Sequence, residues 1–242
     1  KDDNALLIFK KTLFFFISGL TALCYEVVWL RLLGLVFGNT TFAVSTVLSA
    51  YMAGLGFGSY FISKWLERWK KPLTIYGCLK MGVGVYAALT PLLMTLVQKI
   101  YLVAAPSGTF SSLLFVRFAL SFLIIFIPTF FMGGTLPVLV RFFMQRDKNA
   151  GSVTAHLYGL NTIGAVSGVL LSGFYFLPAL GLNLTLLLCV ALNVGIGLMA
   201  LLLSKDLESG VVTHESKSAR AVTQGIWLPM ALFRSGIAAM LY

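Results

Sequence analysis

The sequence predicts an all-α integral membrane protein with six transmembrane helices and the start of a seventh. Three observations carry that expectation. Of 242 residues, 59% are hydrophobic and 11% are charged, against about 25% charged in an average soluble domain. Mean hydropathy is +0.93, which leaves too little polar surface to coat a water-soluble globule. The apolar residues also fall into runs near the ~20 residues that a bilayer-spanning helix takes. Lipid offers no partner for open backbone groups, so helices are the default for such runs. The alternation of a membrane barrel, in segments of about 10 residues, is not seen in the sequence.

The first run, Thr12–Val36, follows a tail (residues 1–11) carrying Lys1, Lys10 and Lys11. It is too long for a cleavable signal and has no small-residue cleavage site. The second and third runs are Thr41–Ser63 and Pro72–Val97, joined by a basic loop with Lys64, Arg68, Lys70 and Lys71. Trp65 and Trp69 in that loop read as interfacial aromatics. The fourth run is Ser112–Met132. Helix continued to Met144 would be about 50 Å long, too much for one straight span. Span four is therefore expected to end near Gly133 and Gly134, with Pro137–Met144 a short helix on the cytoplasmic surface. A hinge is the alternative role for Pro128 and Pro137. Spans five and six are Val153–Leu177 and Leu182–Leu203. A linker, Ser204–Gln224, then leads to a seventh apolar run, Gly225–Tyr242.

The basic residues orient these spans. Thirteen Lys and Arg residues lie in the tail, in the loops after spans two and four, and in the linker, against Lys99 alone on the other side. The loop after span four supplies Arg141, Arg146 and Lys148, and the linker supplies Lys205, Lys217 and Arg220. That asymmetry predicts that the N-terminus and the 204–224 linker are cytoplasmic. The net charge of +10 thus belongs to membrane anchoring, and the expected partner is the lipid bilayer, with no nucleic acid. Ser216→Cys in the linker is expected to resist a membrane-impermeant maleimide added to intact cells and to react after permeabilisation. Labelling from outside would overturn the orientation.

Ser18–Tyr25 (SGLTALCY) and Ser235–Tyr242 (SGIAAMLY) share Ser, Gly, Ala and Tyr at four of eight positions. A parallel repeat needs an even number of spans to return to the same side, and six spans separate the two copies. The chain then reads as one half of a larger membrane domain, with a missing second half beginning at residue 225. The alternative is a six-span protein with an apolar tail.

An ordered set of motifs supports the first reading. SGLTALCYEVVWLRLLGLVFG (18–38) precedes AGLGFG (53–58), MGGTLP (132–137) with Val138–Arg141, LYGLNTIG (157–164) and LPALG (177–181). Together they resemble the membrane region of fused spermidine synthases (polyamine aminopropyltransferases), over roughly residues 12–203. The resemblance implies six helices like one half of a major-facilitator-like fold. It also implies a polyamine-related role: transport, sensing or channelling. The family's soluble transferase domain has no counterpart in these residues, so its catalysis is assigned to none of them.

Glu26 is the carboxylate inside a span, and intramembrane charges are costly enough to suggest function. It lies about 21 Å along the helix from Thr12. Two readings stand open: a cation or proton site facing a cavity, or a structural ion pair. Lys80 and Arg117 are the candidate partners; Arg31, about 140° around the helix from Glu26, is expected to snorkel to the outer interface. If the repeat continues, an acid follows Tyr242 as Glu26 follows Tyr25. Gly54 and Gly58 in span two, and Gly164 and Gly168 in span five, form GxxxG steps that let helices approach closely. Spans two and five hold corresponding places in the two three-helix units of a major-facilitator half.

His156, with Tyr158 and Asn161, reads as a helix-end hydrogen-bonder, and His214 lies in the linker. Cys24, Cys78 and Cys189 are scattered through apolar runs, with no CxxC pattern and no disulfide framework. No metal, cofactor or catalytic set is expected. The competing function is a membrane anchor or scaffold subunit of a larger complex, with Glu26 purely structural.

Overall fold

A computed structural model describes residues 2–37, 41–66, 68–69, 71–104, 110–144 and 150–208. The 209–224 part of the linker, the seventh run and its match to Ser18–Tyr25 lie outside the described residues. The regular structure in the described residues is helical throughout: α1 (Asp2–Phe37), α2 (Thr41–Leu66), α3 (Pro72–Ala104), α4 (Phe110–Met144), α5 (Ala150–Leu170) and α6 (Leu177–Glu208). A π-helical segment, Leu171–Phe176, joins α5 to α6. Gly181, with φ 73° and ψ 178°, breaks the helical path inside α6. Glycine suits that break because a side chain would strain a positive φ.

Four stretches among the described residues are long and apolar enough to cross a membrane: Thr12–Leu35, Pro72–Ile100, Phe118–Phe142 and Ala155–Lys205. The expected count of six spans is not matched. Serines, glycines and tyrosines dilute the apolar run of α2. The fifth and sixth expected spans fall in one stretch of 51 residues, interrupted by the turn at Gly181. Large apolar side chains face outward, among them Phe174 at 81% and Leu35 at 71% exposure. Apolar exposure on that scale marks an interaction surface, lipid included.

A second correction concerns α4, which runs unbroken through Gly133, Gly134 and Pro137 to Met144. The two glycines do not end the helix. They let it approach α2, where a Cβ on Gly133 would meet the Leu55 backbone and one on Gly134 the Ile62 side chain. Beside Pro128, Thr129 donates to the carbonyls of Ile125 (2.8 Å) and Phe126 (3.0 Å), using local acceptors as hydroxyls do in apolar helices.

The most extensive helix contacts are α2 with α4, α1 with α5 and α3 with α6, with α3 against α4 close behind. Exchanging the first three helices for the last three leaves the first three of these pairings unchanged, while α3–α4 exchanges with the much slighter α1–α6 contact. The correspondence extends to register. Gly54 and Gly58 of α2 close on Phe126 and Phe130 of α4, while Gly164 and Gly168 of α5 close on Phe16 and Leu20 of α1. Each residue and its counterpart are 110 positions apart in sequence. Shifted by the same 110 positions, Thr41–Leu66 falls on 151–176, where α5 and the π segment occupy 150–176. Pro72 falls on 182, just past the break at Gly181.

Two buried clusters fill the bundle. One gathers Tyr25, Val28, Trp29, Tyr51, Ile125 and Cys189. The other gathers Phe15, Tyr76, Leu139, Phe142, Leu157 and Ile196.

Candidate functional site

A linked set of buried polar groups lies where α1, α3 and α6 meet. Lys80 of α3 is 2% exposed and Asn193 of α6 is 1% exposed. The Lys80 ammonium donates to Asn193 Oδ1 at 3.0 Å. Thr21 of α1 donates to the same oxygen at 3.3 Å, and to the carbonyl of Ile17 at 2.9 Å. Lys80 Nζ also lies 5.9 Å from the centre of the Tyr76 ring, within the range of a cation–π attraction. The Tyr25 hydroxyl faces Asn193. It lacks hydrogen-bond geometry to any partner, as do Asn193 Nδ2 and the Tyr76 hydroxyl. A single amide oxygen thus supports a buried cation in an apolar interior, where an unpaired charge is costly.

Glu26 stands apart from this centre. Thr21 marks the side of α1 that faces Lys80 and Asn193, and Glu26, five residues on, lies about 140° around the helix. Its side chain is half-buried, on a stripe of α1 shared with Leu23, Val27 and Leu30. It makes no ion pair with a described residue, and it lies near the buried Tyr51 of α2. Lys80 therefore engages an amide in place of the carboxylate. Arg31 is exposed, and the Arg117 side chain lies outside the described residues. The glycine steps lie at the α2–α4 and α1–α5 contacts already described.

Asn193 was not among the residues singled out from the sequence. Its signal was an amide in an apolar run, a residue type that hydrogen-bonds across membrane helices. Cys24 and Cys189 form a second unforeseen contact: 165 positions apart, they bring their Sγ atoms to 2.7 Å as free thiols. His156 and Tyr158 are exposed. Among the described residues, no group of three His, Cys, Asp or Glu side chains could hold a metal ion.

Fold and site together define a chain whose described regular structure is helical and apolar enough for a membrane, with a polar centre at the α1–α3–α6 junction. No protein-family model matches the chain, and no solved structure matches it. Its sequence is similar to that of a polyamine aminopropyltransferase from Leptospira interrogans, at 22% identity over 201 residues. The match covers 83% of this chain and 37% of that protein.

Proposed function

We propose that this chain is the membrane region of a spermidine synthase-like protein, placed in the cytoplasmic membrane with its N-terminus inside. It has six helices arranged as one half of a major-facilitator-like fold, and it binds polyamine while transporting, sensing or channelling it. The exchange symmetry of the helix pairs and their constant 110-residue register support the architecture. The similarity to a polyamine aminopropyltransferase supports the ligand class.

The observation that carries the site is Glu26, half-buried and without an ion pair among the described residues. Its lysine candidate partner is occupied by Asn193 on another face of α1. A carboxylate so placed suits an ammonium ligand, because a polyamine end would satisfy a charge that is costly to leave alone. A second carboxylate from the missing half would hold the other end of a flexible, multiply charged chain. Transferase chemistry is assigned to no residue here.

Spermidine titrated into the full-length protein in lipid nanodiscs tests this. Glu26→Gln is expected to weaken binding at least tenfold while the variant elutes and melts like the parent. Unchanged affinity in a well-folded variant would remove the cation site and leave the anchor reading.

A further inference from the structure

We propose that Cys24 and Cys189 form a modification site, a thiol pair that a small hydroperoxide converts into a disulfide joining α1 to α6. The two sulfurs lie 2.7 Å apart, against about 2.05 Å in a disulfide. Forming the bond brings the two sulfurs closer by less than an ångström. Both side chains are fully or almost fully buried, at 0% and 1% exposure. The thiols come from helices that already pack together, in a cluster otherwise made of apolar and aromatic groups. Ser172, in the π-helical segment, lies beside Cys24, and its hydroxyl is the polar neighbour that can orient the thiol. Such π segments are frequent at functional positions in helices.

The chemistry closes without a metal. One thiol attacks the O–O bond of hydrogen peroxide, giving a sulfenic acid and one water. The second thiol attacks that sulfur and expels the other oxygen as water. Two electrons and two protons leave the cysteine pair, and peroxide is reduced to two waters. The first step is slow, because both sulfurs are shielded from solvent and the oxidant must reach them through the packed helices. The second is fast, because the partner is already in place. Peroxide is small and uncharged, so an apolar interior does not exclude it. The product ties the helix bearing Glu26 and Thr21 to the helix bearing Asn193, and it closes a long loop of the unfolded chain, the situation in which a cross-link constrains most.

Cys78 is exposed on α3 and supplies the internal control. The purified full chain in detergent is treated with hydrogen peroxide, quenched with catalase, unfolded in dodecyl sulfate and reacted with polyethylene-glycol maleimide. The reduced protein is expected to take up three adducts, one for each cysteine, and the oxidised protein two fewer. Dithiothreitol restores them, and mass spectrometry finds a peptide linking Cys24 to Cys189. The same loss of two adducts is expected in Cys78→Ser, which excludes exchange with the exposed thiol. Retention of all three reactive thiols would overturn the proposal. So would loss of Cys78 in place of the pair, or a loss that reductant does not reverse.

Discussion

Leucine at position 164 is expected to destabilise the bundle by about 3 kcal/mol or more, the upper range for forced overpacking. The cause is what a side chain would strike. A Cβ on Gly164 meets the backbone of Phe16, within 3.0 Å of its Cα, and a helix backbone cannot rotate aside. Gly58→Leu meets the Phe130 backbone in the same way. Gly54→Leu is expected to cost a similar amount, because its Cβ meets the Thr129 Cβ, which side-chain rotation does not move, and the Phe126 carbonyl. Gly56 separates packing from propensity: it lies in the same helix as Gly54 and Gly58, with nothing within 4 Å of its Cβ position. Thermal melting in detergent is expected to place Gly56→Leu near the parent, and Gly54→Leu, Gly58→Leu and Gly164→Leu well below it. Equal melting of all four variants would mean that these helix contacts do not hold the bundle together.

The same glycines show how far the sequence could be read. Their spacing of four residues within α2 and within α5 was visible, since small residues on one helical face are a local pattern. Their shared register was not, because the 110-residue shift preserves few side chains. Across α1 and α4 it aligns Phe16 with Phe126, Ile17 with Ile127, Val28 with Val138 and Arg31 with Arg141. Matches so sparse among apolar residues cannot be told from chance until the backbone contacts are seen. Gly133 and Gly134 misled for a related reason. The length of the run, about 50 Å as helix, asked for an end there, whereas the pair serves a close helix crossing. Partnerships across the bundle were the least legible. The Lys80–Asn193 pair spans 113 positions, and hydrophobic periodicity does not reveal which polar residue a buried charge will face. A lysine in an apolar run invites a carboxylate partner, yet the helix carrying Glu26 turns that residue away from Lys80.

That arrangement sets the second large effect, which is expected at Asn193. Asn193→Leu deletes the oxygen that accepts from both the Lys80 ammonium and the Thr21 hydroxyl. Thr21 keeps its bond to the carbonyl of Ile17, so its loss is small. The ammonium is different. It stays within an apolar interior beside the Tyr76 ring, and leaving a buried donor without its acceptor costs about 1–3 kcal/mol, more where the group is charged. Leucine has the same number and branching of side-chain heavy atoms as asparagine and is the larger of the two, so no cavity is left. Lys80→Met is expected to be milder, since it removes the charge and keeps a long unbranched side chain. The double variant Lys80→Met/Asn193→Leu is then expected to recover most of the loss, because neither polar group is left without the other. Four melting curves in detergent complete the cycle, which isolates the coupling between neighbouring residues. A double variant as unstable as Asn193→Leu alone would show that Asn193 acts by packing and that the ammonium finds its acceptor elsewhere.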